Sequence, residues 1–260
     1  MFPSRNATVL GSPGWVNERS ISFDGTDSRV SVPDSDIFDH DDGTYSKFTL
    51  SYWVYSAWGG TYALTCKQTD ADSGAGEREY YNHYASTNDN FYFQIKLLGS
   101  TAMSANYVEN WADGTRWYHV VLVYDGSLGG TAGADRVAIY KDGVKQTVAK
   151  GSNTNPERMN TFTAPFGFGS LYSDANAHAL LGRMDEIMWI NRYSANQSDV
   201  TYLYNNGKTR DLTDFKSSYK RGYWRMGEGG ESLPAVPDVI GGNDGTLVNG
   251  TATDYASPAP

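Results

Sequence analysis

Apolar and polar positions alternate in short runs along most of this chain, the period-two pattern of half-buried β-strands. Ser20-Ile21-Ser22-Phe23 alternates, Asp24-Gly25 and Asp27-Ser28 turn the chain, and Arg29-Val30-Ser31-Val32 alternates again until Pro33. This predicts a short hairpin. Phe48-Thr49-Leu50-Ser51-Tyr52-Trp53-Val54-Tyr55 is the clearest strand, with Phe48, Leu50, Tyr52 and Val54 on one face and Trp53 and Tyr55 on the other. Neither face is fully polar, so this strand is expected at the centre of a sheet covered on both sides. Further strands are read at 61–67, 79–86, 91–98, 101–109, 117–124, 135–140, 144–148, 166–171, 179–182, 184–191, 219–226 and 246–249. Asp142-Gly143 between two of them is a strong hairpin signal. One helix is predicted over roughly 195–206, capped by Ser194 and stopped by Asn206-Gly207.

Many short strands with one minor helix predict an all-β fold, a two-sheet antiparallel jelly-roll sandwich. The lack of alternating helices excludes a parallel α/β arrangement. No internal repeat or linker splits the chain. The expected organisation is an N-terminal arm over 1–18, a single domain over 19–255 and a loose tail over 256–260.

Composition adds three constraints. Aromatic residues make up 14% of the 260 positions, with 19 Tyr and 7 Trp, enough for a large core of strand-favouring side chains. A net charge of −9 excludes nucleic acid as a partner, since phosphates demand a basic face. The lone Cys66 lies in a strand-like run and reads as a buried, inert thiol. The N-terminal residues open no apolar run of the kind a signal peptide needs, and no stretch reaches the length of a membrane span.

Five segments in order resemble laminin G-like modules of the concanavalin A-like lectin/glucanase superfamily. They are Ile21-Ser22-Phe23-Asp24-Gly25-Thr26 with Val30-Ser31-Val32-Pro33; Phe48 to Val54; Arg116 to Gly126; Val137 to Gly143; and Leu181 to Arg192. The resemblance covers about residues 19 to 206. The later Trp224-Arg225-Met226-Gly227-Glu228-Gly229 and Asn243-Asp244-Gly245-Thr246-Leu247 resemble an element that often precedes the first strand in such modules. The resemblance implies the sandwich, but this fold hosts lectins, hydrolase domains, adhesion modules and virion parts alike.

Candidate chemistry is sparse. A retaining glycosidase needs two carboxyl groups roughly 5–5.5 Å apart on one face. The only carboxylates in the comparable strand, Asp185 and Glu186, are adjacent and therefore expected on opposite faces. No enzymatic activity is expected. His119 sits mid-strand and reads as a core histidine, and His40, His83 and His178 show no metal spacing. The resemblance implies one candidate cofactor, a structural calcium ion held by Asp24, Gly25 and Asp185. Trp58, Tyr80, Tyr81 and Tyr84 are candidates to stack on a sugar ring.

The sequence therefore points to a non-enzymatic, lectin-like protein. The first expectation is a decoration or attachment protein of a virion, with capsid or tail proteins or host glycans as partners. The second is a carbohydrate-binding module of a cellular or extracellular protein, and the third a glycoside hydrolase. Membrane insertion is not expected, and a homo-oligomer fits a surface appendage.

Overall fold

The period-two runs build two antiparallel sheets that face each other across one apolar layer. The computed structural model describes residues 15–56, 59–68, 78–85, 90–95, 103–108, 116–129, 135–150, 156–159, 161–171, 178–228, 232–251, 255–256 and 260. The strands are β1 (Ser20–Asp24), β2 (Arg29–Val32), β3 (Lys47–Ser56), β4 (Thr61–Gln68), β5 (Arg78–Ala85), β6 (Asn90–Ile95), β7 (Met103–Val108), β8 (Tyr118–Asp125), β9 (Val137–Lys141), β10 (Val144–Lys145), β11 (Ala149–Lys150), β12 (Phe166–Phe168), β13 (Leu181–Asn191), β14 (Arg221–Trp224), β15 (Ala235–Val236), β16 (Gly245–Val248) and β17 (Tyr255–Ala256). One sheet has the order β10-β9-β8-β3-β13-β1-β17, with β14 also paired to β13. The other runs β11-β7-β6-β5-β4-β12-β2-β16-β15.

The expected strands at 179–182 and 184–191 form the one long strand β13. Its neighbour changes half-way along. Leu181 to Met184 pair with β1, and Ile187 to Ile190 pair with β14. On its other edge β13 pairs with β3, with a register shift between Asp185 and Met188. One extra residue is accommodated there as a β-bulge. Glu186 takes the strain, with φ of 50°.

The inner faces meet in the main core. Phe48, Leu50, Tyr52 and Val54 of β3 share this layer with Tyr80, Tyr84, Phe91, Phe93, Phe166, Phe168, Trp189 and Trp224. Trp189 stacks on Phe48 with ring centres 4.6 Å apart, and its indole N–H donates to the Ile37 carbonyl at 2.8 Å. Trp224 likewise donates to Asn243 O at 3.0 Å. Both buried donors are thus satisfied, as a large indole in a core requires. One end of this layer is closed by a buried ionic cluster. Glu79 accepts from Lys67 at 2.8 Å and contacts His40 at 3.0 Å, and Lys67 also meets Asp34 at 2.8 Å. Pairing makes the burial of these charges tolerable.

The outer face of the eight-stranded sheet is covered too. The helix α1 (Gln197–Tyr204) and the segment after it bury Val200, Leu203 and Leu212 against Val121, Val123, Met188, Ile190 and Tyr223. This second layer explains why β3 is apolar on both faces. The helix starts later than expected. Asn196, rather than Ser194, is its N-cap, accepting from Ser198 N and Asp199 N, with Asp199 answering in a capping box. Ser194 instead donates to Asp125 at 2.7 Å.

The chain after residue 206 belongs to the same sandwich. β14 pairs with β13, β16 pairs with β2, and β17 pairs with β1. Within the expected arm, residues 15–18 are tied to the domain. Asn17 donates to Asp185 at 3.0 Å, and the Glu18 amide donates to Glu228. Residues 1–14 lie outside the described set.

Candidate functional site

The bulge in β13 brings Asp185 and Glu186 to one face, against the expectation from adjacency. In a regular strand neighbouring side chains diverge, but the extra residue resets the alternation. Asp185 sits opposite Trp53, on the outer face, while Met184 and Ile187 both point into the main core. Glu186 accepts from the hydroxyl of Tyr223, itself part of the outer layer, and from Arg225 Nε at 3.3 Å. Asp185 accepts from Glu186 N at 2.8 Å and from Asn17 Nδ2 at 3.0 Å. The pair sits where β1 gives way to β14, and residues 15–19 lie across that gap. Arg225 also donates to Val16 O, and Glu228 accepts from the Glu18 and Arg19 amides.

Both carboxyl groups are sealed, at 0% and 2% exposure. Burial first, and then the charge of Glu186, push the Asp185 pKa well above the ordinary carboxylate value. Burial raises Glu186 to about 7, against the opposing pull of Tyr223 and Arg225. A shared face, perturbed acids and an arginine are the ingredients of acid–base chemistry. A substrate, however, would have to displace Asn17, Tyr223 or Arg225 to reach either carboxyl group.

The three calcium candidates do not converge. Asp24 pairs with Leu181, which places Asp185 four positions further along β13, about 13 Å away. Ligands of one calcium ion lie 2.3–2.6 Å from it, so these two carboxylates cannot share an ion. Asp24 instead closes its own turn, accepting from Thr26 N at 2.8 Å and from the Ser28 hydroxyl at 2.9 Å. Partial burial raises its pKa, but these hydrogen bonds outweigh it and hold Asp24 below its usual value. Gly25 supplies the left-handed turn residue at φ of 74°. Among the described residues no group of three or more His, Cys, Asp or Glu side chains is arranged around a metal position.

The aromatic candidates divide as well. Tyr80 and Tyr84 have no exposed surface and pack in the main core, because their positions in β5 point inward with Phe91 and Ile95 opposite. They are not available to stack on a sugar. In the register of β5, Tyr81 pairs with Cys66 on β4 and Gln94 on β6. Trp58 and the side chain of Tyr81 fall outside the described residues. His119 is a core histidine as expected. Its Nε2 lies 2.9 Å from the Ser51 hydroxyl, and burial pulls its pKa down to about 3. Cys66 is buried beside Ala63 and Leu171.

Residues outside the sequence candidates for ligand binding lie on the outer face of β5 and β6. The His83 and Tyr92 rings stack 4.6 Å apart and 12° from parallel. Asn90 Nδ2 donates to the Tyr92 hydroxyl at 2.9 Å. Tyr92 and Gln94 are half-buried, and the register sets Asn106 opposite Tyr92 and Ser104 opposite Gln94. Among the described residues no helix lies over this sheet, since α1 packs on the other one. The signal was present in Asn90-Phe91-Tyr92-Phe93-Gln94-Ile95, whose alternation sends Phe91, Phe93 and Ile95 inward and the polar set outward.

The sequence matches a known laminin G family, described as the concanavalin A-like lectin/glucanases superfamily, over residues 24–201. The chain belongs to this superfamily. Among solved structures, a putative carbohydrate binding protein from Bacteroides ovatus ATCC 8483 superposes with a TM-score of 0.57 at 18% identity, covering 92% of this chain and 60% of that one. The native heptameric SAP-like pentraxin from Limulus polyphemus superposes with a TM-score of 0.51 at 12% identity, covering 74% of this chain and 84% of that one. These likenesses establish the fold. No curated protein matches the chain in sequence. The superfamily match stops at 201, yet β14, β16 and β17 lie beyond it in the same two sheets.

Proposed function

We propose that this chain is a lectin-like, glycan-binding module without catalytic activity, and that it binds through the outer face of β5, β6 and β7. The observation that carries the reading is the half-buried pair Tyr92 and Gln94 on that face, with the buried His83 ring stacked on Tyr92. A sugar offers an apolar ring face and a rim of hydroxyls. An aromatic side chain flanked by amides meets both. The solved relative named as a carbohydrate binding protein supports the same reading. The sealed Asp185–Glu186 pair supports binding over hydrolysis, since its hydrogen-bonding capacity is spent on the protein itself.

In the attachment setting expected from the sequence, this face would meet glycans of a host surface, with capsid or tail proteins holding the module. Co-sedimentation with purified particles would separate that setting from a cellular or extracellular one.

A glycan array followed by titration calorimetry tests the binding. Tyr92→Ala is expected to weaken the strongest hit about tenfold or more, the equivalent of roughly 1.4 kcal/mol. Undiminished binding by Tyr92→Ala and Gln94→Ala together would remove this face from the proposal.

A further inference from the structure

A groove on the opposite side of the molecule takes no part in the face just described. It lies on the outer side of the eight-stranded sheet, where the ends of β8 and β9 meet the start of α1, and has a volume of about 190 Å³. Pockets for drug-sized ligands run from ~300 to 1,000 Å³, so this one has room for a single ring. Val123, Ala138 and Tyr140 form its floor, all projecting outward from their strands. Tyr140 is 5% exposed, and no hydrogen bond reaches its hydroxyl among the described residues. The hydroxyl is not among the buried, unpaired side-chain atoms, so it reaches solvent at the groove and can donate to a ligand there.

Three further groups line the groove with capacity to spare. Asp135 and Lys145 are exposed, and neither forms an ion pair among the described residues. Asn196 spends its Oδ1 on the cap of α1, which leaves its Nδ2 hydrogens to offer. The remaining charged neighbours are committed. Asp125 is held by Lys47, Ser127 and Ser194, and Arg136 donates to Leu128 O at 2.7 Å and Glu157 at 3.1 Å. These contacts fix the walls. The lining carries two carboxylates and two cations, so its charge balances and favours a neutral occupant over an anion.

We propose that this groove is a second, separate binding site for one neutral hexopyranoside ring. Asp135 accepts from ring hydroxyls, Lys145, Asn196 and the Tyr140 hydroxyl donate to ring oxygens, and the apolar ring face lies on Ala138. The proposal rests on the carbohydrate-binding reading of the chain but not on the β5–β7 face.

Saturation-transfer NMR on the full chain tests it, with the methyl glycosides of mannose, galactose and glucose as probes and glycine as a zwitterionic competitor. At least one glycoside is expected to receive saturation. Asp135→Asn and Tyr140→Phe, both near-isosteric, should each weaken that binding about fivefold, the worth of one lost hydrogen bond. Tyr92→Ala should leave it unchanged. Silence from all three glycosides, indifference to both groove variants, or displacement by glycine would overturn the proposal. A silent groove beside a Tyr92-dependent array hit defeats the groove alone. Glycoside binding in the groove with an array that ignores Tyr92 defeats the β5–β7 face alone. Far-ultraviolet circular dichroism of each variant guards against misfolding as the cause.

Discussion

At the scale of single residues, the most consequential position is Glu186. Its backbone adopts φ of 50° to absorb the bulge, and its side chain is buried against Tyr223 and Arg225. The raised pKa is also a statement about stability. A carboxyl group that holds its proton more tightly when folded stabilises the protein at low pH. That contribution is fully present below about pH 4.5, the ordinary value, and is lost as pH rises through about 7. Asp185 shifts in the same direction. His119 acts oppositely, because its folded pKa is depressed to about 3. Its contribution is present above about pH 6.5 and is lost as pH falls towards 3. The melting temperature is therefore expected to pass through a maximum in mildly acidic buffer. Glu186→Gln should flatten the decline on the alkaline side, removing a pH dependence on the order of 3 kcal/mol. Thermal melts of both proteins from acid to alkaline pH check this, and parallel alkaline limbs would show that Glu186 does not titrate in this range.

At the scale of elements, the turns that re-enter the sandwich are tightly constrained. Gly169 follows β12 at φ of 90°, and a Cβ placed there would lie 2.3 Å from the Phe23 ring. That ring is 2% exposed and cannot swing away into solvent. Gly169→Ala combines an unfavourable backbone conformation with overpacking, and a loss of at least about 2 kcal/mol is expected by chemical denaturation. The same scale explains how the carboxylate pair arises. β13 exchanges β1 for β14 between Met184 and Ile187, and the bulge falls in that interval. The motif Arg183-Met184-Asp185-Glu186-Ile187 was legible as a strand. The exchange of partners was not, because it depends on β14, some 35 residues later in the chain.

At the scale of the whole molecule, the segment after α1 fastens the two sheets together. β14 adds to one, β15 and β16 add to the other, and Tyr223, Trp224, Met226, Val236 and Leu247 are buried in the two apolar layers. Burying side chains of this size contributes ~1.5–3 kcal/mol each, a total on the order of 10 kcal/mol. A domain's whole stability is only about 5–15 kcal/mol. A chain ending at residue 206 is therefore expected not to fold, even though it contains all of the superfamily match. Loss of near-ultraviolet circular dichroism and of a cooperative melt would register this, and a cooperative transition in the short chain would contradict it. The glycan proposals belong to this scale as well. The two outer faces differ because α1 covers one, whereas among the described residues no helix lies over the other.

The sequence by itself determined the class of fold and most of the strands. Period-two alternation is written locally, and each of Phe48, Leu50, Tyr52 and Val54 faces the core that its position requires. It also determined that His119 and Cys66 are interior, since an apolar strand buries what it carries. Tertiary structure alone decided which side chains share a place. The family resemblance implied that Asp24 and Asp185 share an ion, but the β1–β13 register separates them by four positions. Asp185 and Glu186 looked divergent, but one extra residue opposite Trp53 and Ser51 turns both outward. Tyr80 and Tyr84 looked available, but two sheets closing on each other leave them no surface. Alternation fixes which side of a strand a residue takes, whereas register, bulges and the stacking of layers are set by contacts between residues far apart in the chain.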